Sequence, residues 1–165
     1  MSRLSEEKGI VYVLKPADHA AGVVGESINT KNCTLVTFLV QCATMTDNGG
    51  AGADLTIKSG ATDAVQTTAE TFYYRVATAA QAAAGADIFG DTSGDAGETE
   101  ATTLELLKAN FDSKLLIIEV PVAMLTDGQP WITLALNADG TAANLSVVAI
   151  LSGHRYQGQQ PPTSI

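Results

Sequence analysis

Apolar side chains recur at every second position in most of the patterned segments of this chain. That period belongs to strands, whose side chains alternate between two faces, and excludes a helical fold for most of the sequence. The stretch from Cys33 to Cys42 carries the pattern best. Val36, Phe38, Val40 and Cys42 share one face, and Leu35, Thr37, Leu39 and Gln41 share the other. The second face mixes apolar and polar residues, so this strand is expected to be covered on both sides. Asp54 to Ser59 alternates too, with Leu55 and Ile57 pointing inward. Between the two lies Asp47-Asn48-Gly49-Gly50, a turn signal built from residues that tolerate positive φ. The expectation is a hairpin whose two arms are these strands.

Further strands are expected at Ile10 to Leu14, ended by Lys15-Pro16, and at Thr71 to Val76. In the latter, Phe72, Tyr74 and Val76 form one face and Tyr73 and Arg75 the other. Thr102 to Leu106 is a weaker run. Lys114 to Val120 is almost continuously apolar and reads as a central strand. Trp131 to Leu136 and Leu145 to Leu151 follow, separated by the turn cluster Asn137-Ala138-Asp139-Gly140. Many short strands divided by turn signals predict an all-β protein: an antiparallel β-sandwich, jelly-roll-like, with long loops and extended termini.

Helix is scarce. Thr78 to Ala84 is Ala-rich but short and followed by Gly85, which makes it a marginal helix. Pro121 to Leu125 has the composition of a single turn with Pro at its start. Gly90 to Glu100 is a loop of Gly, Ser, Thr and acidic residues. No repeat of 20–50 residues is present, which excludes a solenoid or propeller. A length of 165 residues fits one domain with a sizeable core. Three regions are expected: an N-terminal arm at 1–9, a β-sandwich at 10–156, and an extended tail at 157–165, where Pro161 and Pro162 block helix and central strand alike. The termini read either as frayed ends or as arms laid on a neighbouring subunit.

The formal net charge is −9. Such a chain is repelled by phosphate backbones and by anionic membrane surfaces, so no nucleic-acid or membrane partner is expected. No apolar run approaches the roughly 18 residues of a membrane span, and the polar start Met1 to Lys8 does not read as a signal peptide. A cytoplasmic site of synthesis is expected. Cys33 and Cys42, an odd number of positions apart, point to opposite faces if they share a strand. They then read as small core residues rather than a disulfide or a metal pair.

Candidate chemistry is sparse. His19 and His154 are the only histidines, and Ser152-Gly153-His154 matches no nucleophile signature. A small hydrolase using His154 with an acid is one function class to weigh. Asp87, Asp91, Asp95, Glu98 and Glu100 collect hard oxygens of the kind calcium needs, without the spacing of a calcium loop. A solvated acidic loop is the simpler reading, and whether it takes a cation stays open. Asp47 to Gly52 lacks the Lys-Ser/Thr ending of a phosphate loop. No cofactor, metal or catalytic residue is assigned, and no enzyme is expected. Tyr12, Tyr73, Tyr156 and Trp131 are the aromatics that can line a sugar-binding face or a subunit interface. The simpler reading of most of them is a near-core position with a polar tip at the surface, preferred for Trp131.

Three stretches together carry a resemblance. The first is Pro16-Ala17-Asp18 with Gly25-Glu26-Ser27-Ile28-Asn29. The second is Cys33 to Gln41 leading into Ala53 to Lys58. The third is Val147 to Tyr156 with the Pro-containing tail. This layout resembles small structural proteins of tailed bacteriophages, in particular capsid decoration (cement) proteins. The resemblance implies a jelly-roll or related sandwich that works as a dimer or trimer on the outer capsid surface, made in the host cytoplasm. Its partners are then the major capsid protein and itself, and its function is to stabilise the shell by bridging capsid subunits. It implies no catalytic residues. Candidate interface residues are Tyr73, Arg75, His154, Arg155, Tyr156, Pro161 and Pro162. The alternative function is a carbohydrate-binding β-sandwich on a fibre or tail, using Tyr73 or Trp131.

Overall fold

The computed structural model describes residues 8–85, 87–90, 101–137 and 142–153. Within them, strands follow the alternation closely. They are β1 (Gly9–Asp18), β2 (Val23–Val24), β3 (Ile28–Asn29), β4 (Leu35–Met45), β5 (Ala53–Gly60), β6 (Thr68–Glu70), β7 (Tyr73–Val76), β8 (Thr103–Leu106), β9 (Leu115–Pro121), β10 (Trp131–Asn137) and β11 (Ala143–Ser152). A one-turn helix α1 (Lys108–Phe111) and a 3-10 turn at Val122–Met124 complete the described elements. The 3-10 turn follows Pro121 and falls in the Pro121 to Leu125 stretch, as predicted. Thr78 to Ala84 forms bends and turns instead of a helix, and Ala82 adopts a positive φ of 65°.

The strands form two antiparallel sheets. Sheet A has the order β1-β11-β4-β9-β7, and sheet B the order β2-β10-β5-β6, with β3 also pairing β10 and β8 also pairing β5. Take β2 and β3 as one strand position and β6 and β8 as another. Sheet A then runs first-eighth-third-sixth and sheet B second-seventh-fourth-fifth, the strand order of a jelly roll, with β7 added at the edge of sheet A. The all-β sandwich expected from the alternation is therefore the observed fold.

The predicted hairpin is not. The Asn48–Ala51 turn forms, closed by hydrogen bonds from Asn48 N to Ala51 O (2.9 Å) and from Ala51 N to Asn48 O (3.1 Å), with Gly49 and Gly50 at φ 63° and 92°. But β4 lies in sheet A between β11 and β9, while β5 lies in sheet B between β10 and β6. The turn caps a loop that carries the chain across the sandwich. The physical reason is burial. Val36, Phe38 and Val40 on one strand and Leu55 and Ile57 on the other are all fully enclosed. Each set enters the shared core from its own sheet, with the pairing edges of β4 taken by β11 and β9 and those of β5 by β10 and by β6 with β8.

The core is packed from alternating large and small residues. In sheet A, Val11, Ala149, Phe38, Ile118 and Tyr74 form one inward row across all five strands. Small Ala149 beside large Phe38 lets the opposing sheet approach. Strand β1 departs from simple alternation. Tyr12 pairs with Val148 and Leu14 with Val147, so Val13 is an extra residue. This bulge turns both Val13 and Leu14 into the core, at 5% and 6% exposure. A second irregularity, between Leu14 and Ala17, accommodates Pro16 on this edge strand, so β1 runs on to Asp18 past the predicted stop.

Candidate functional site

The two outer surfaces of the sandwich differ. On sheet B the outward positions include Asp54, Thr56 and Lys58 of β5 and Thr103 and Glu105 of β8, the polar surface expected of a sheet facing water. Sheet A is different. The pairings place Tyr12, Val148, Leu39, Ile117 and Arg75 in one row across its outer face. A second row holds Ile10, Ile150, Thr37, Glu119 and Tyr73. Shorter rows flank these, with Leu35 opposite Pro121 on one side and Gln41 opposite Leu115 on the other. Ile10 and Tyr12 are 49% and 58% exposed, and the apolar residues of the central strands are half-buried among their neighbours.

Tyr73 and Arg75, two of the predicted interface residues, thus lie on this face, on the edge strand β7. His154, Arg155, Tyr156, Pro161 and Pro162 lie outside the described residues, as do Asp91, Asp95, Glu98 and Glu100. The aromatics suggested for a common sugar platform do not share one. Tyr12 and Tyr73 are at opposite edges of sheet A, while Trp131 is an outward residue of β10 in sheet B. An aromatic platform combining Trp131 with Tyr73 therefore does not form.

The remaining candidates for chemistry have structural partners. His19 is buried, with its Nε2 3.2 Å from the Lys15 carbonyl oxygen. Cys33 and Cys42 are both buried and free. Cys33 precedes β4, so the opposite-face argument does not apply to it, yet both thiols do sit in the core. Burial pushes the Cys42 thiol up to about 12, with the nearby Asp112 carboxylate adding to the effect, and pushes Cys33 up to about 11. Neither supplies a thiolate near neutral pH. A groove of about 320 Å³ beside Cys42, lined also by Gln41, Gln81, Ser113 and Lys114, holds no histidine among the described residues to activate a nucleophile. Among the described residues, no group of three His, Cys, Asp or Glu side chains stands close enough to hold a metal ion.

One buried polar cluster was not anticipated. Ser59 and Glu70 face inward at the end of sheet B; Ser59 is fully buried and Glu70 is 5% exposed. Glu70 Oε1 accepts hydrogen bonds from the Ser59 hydroxyl and from Thr126 N (3.0 Å), and Ser59 Oγ is 2.8 Å from the Gln129 amide oxygen. The cluster ties β5, β6 and the 125–130 loop together. The signal was inward parity: Glu70 pairs with buried Ile57, a relation visible only once the β5–β6 register is known.

No family model matches the chain, and no curated protein matches it. Among solved structures, the crystal structure of SPBc2 prophage-derived protein YomS is similar. The likeness covers 88% of this chain and 92% of that one, with a TM-score of 0.52 and 9% identity. At that identity the likeness is one of fold. It extends over nearly the whole of both chains.

Proposed function

We propose that the chain is a structural protein of a phage particle that binds the outer surface of the capsid and stabilises the shell by bridging major capsid proteins. The observation that carries this reading is the whole-length likeness of its jelly roll to a prophage-derived protein. Two features support it. Among the described residues His19, Cys33 and Cys42 are buried, and the outer face of sheet A is a largely apolar surface suited to contact. A protein of this kind needs a rigid core and weak contacts multiplied by symmetry, so that avidity replaces chemistry. The net charge of −9 favours docking on basic shell patches and disfavours nucleic acid.

The test is a binding assay on expanded capsids that lack the protein. Purified chain is expected to cosediment with such shells in a saturable, symmetry-related stoichiometry and to raise their resistance to heat or chelation. Absence of binding at concentrations well above those of the shell subunits would end this reading. Binding on a glycan array, lost on Tyr73 or Trp131 substitution, would replace it with a carbohydrate-binding role.

A further inference from the structure

We infer that the outer face of sheet A is a self-association surface, on which a second copy of this chain packs face to face about a two-fold axis. This deepens the proposed function, since it names a contact surface for an oligomeric particle protein, but its physical basis is independent of any capsid.

The two sheets contrast in part. An antiparallel sheet with one wet face shows polar residues outward; β5 and β8 of sheet B do, while its β2–β10 edge carries Val24, Ala135 and Trp131 outward. Sheet A presents leucine, isoleucine, valine and tyrosine across all five strands. At about 4.8 Å between strands and about 3.3 Å per residue, its four rows make a patch about 19 Å wide and about 20 Å tall. That is about 400 Å² of flat area with Thr37, Glu119, Arg75 and Gln41 included, within the range of the largest apolar patch on a typical monomer.

Charge selects the occupant. In a chain of net charge −9, the two full rows hold one cation, Arg75, and one anion, Glu119. This is a neutral window through which two otherwise repelling copies can approach. Two such faces offer about 800 Å² of flat sheet, and more in accessible area because the side chains stand off it. On the flat figure the pair lies below the roughly 1,200 Å² at which stable specific interfaces begin, which points to a weak, concentration-dependent dimer.

The face is also self-complementary. Strand β4 is the middle of the five. A two-fold axis parallel to it sets β4 against β4 and exchanges the edges, so Tyr12 meets Arg75 of the partner subunit and Ile10 meets Tyr73 of the partner subunit. A tyrosine ring under a guanidinium is a favourable pairing, repeated twice by symmetry. Face-to-face packing of two sheets about 10 Å apart is a geometry that β-sandwiches adopt in general.

The test is sedimentation of the full chain over a wide concentration range. The wild type is expected to be a dimer. The double substitution Ile10→Lys and Tyr12→Lys, at half-exposed positions that tolerate charge in the monomer, is expected to raise the dimer dissociation constant at least about 100-fold with an unchanged far-ultraviolet spectrum. Leu39→Lys, at the centre of the face, is expected to do the same. Lysines at Thr56 and Thr103, on sheet B, are expected to leave it unaltered. A wild type that stays monomeric, a trimer, or sheet A variants that dimerise like the wild type each overturn the assignment. The capsid assay separates the two readings. A dimer that ignores empty shells sinks the capsid role alone, and a monomer that binds them sinks only this interface.

Discussion

Cys42 shows how a single residue links packing to pH. Its thiol is pushed from an ordinary 9.0 to about 12 because burial disfavours the thiolate and Asp112 repels it. Between those values the unfolded chain loses the proton and the folded chain keeps it, so stability is full below pH 9 and falls as pH rises toward 12. Cys33 adds the same sign between 9.0 and about 11. Urea midpoints measured from pH 8 to 11 are expected to decline, and Cys42→Ala should flatten the decline; a wild-type curve flat to pH 11 would refute the burial argument. Both thiols are expected to resist maleimide at pH 7 until denaturant is added. Glu70 is the second informative residue. Its Oε1 accepts from the Ser59 hydroxyl and the Thr126 N–H, and Glu70 itself is 5% exposed. Glu70→Ala removes the acceptor from Thr126 N–H and leaves the Ser59 hydroxyl with Gln129 alone, an expected cost of about 1–2 kcal/mol, read as a lower urea midpoint at constant slope. Alternation alone could not reveal this residue, because an isolated acid in a short strand reads as a surface charge until the strand's register is fixed.

At the scale of elements, the sequence was most legible where one face is fully buried. Strands β4, β5, β9, β10 and β11 fall where alternation or continuous apolar character predicted them, because a register slip there would expose the whole core face. It was less legible where backbone geometry intervenes. The bulge at Val13 breaks the parity of β1, and α1 has too little length to leave a periodic trace. That helix is instead held from a distance: Asp47 Oδ1 accepts the Lys108 N–H at 2.7 Å across the crossover loop. Turn chemistry was visible, but not which sheets the turn joins. Glycine is required at Gly60, where an added Cβ would stand 1.9 Å from the Val65 carbonyl oxygen at the β5–β6 connection. Gly60→Ala must displace backbone, and a loss of about 2–3 kcal/mol is expected. Gly49 faces open space but has a φ of 63°, so Gly49→Ala should cost only about 1 kcal/mol. Equal losses at the two sites would mean that close approach is not what Gly60 serves.

At the scale of the whole molecule, the jelly-roll order interleaves the sheets along the chain. After β3 the chain passes to β4 in sheet A, then to β5 in sheet B, and the last three strands alternate A, B, A. Neither sheet can therefore be completed without most of the sequence. This is also why sequence reading reached the sandwich but not its pairings: a period of two assigns faces, whereas partners follow from how two sets of faces are buried together. The same interleaving makes a prediction about unfolding. Trp131 belongs to sheet B, whereas β4 and β9 form the middle of sheet A. If each sheet supplies the apolar ceiling of the other, neither survives alone, and fluorescence from Trp131 should lose its native signal at the same denaturant concentration as the far-ultraviolet strand signal. Refolding should be slow for the chain's size, in the millisecond-to-second range or beyond, because pairs such as β1 with β11 close the longest loops in the chain. Association through sheet A would add a concentration dependence to both midpoints in parallel. A tryptophan transition separated from the strand transition would instead show that sheet B holds together by itself, and the mutual burial that defines this sandwich would not be its source of stability.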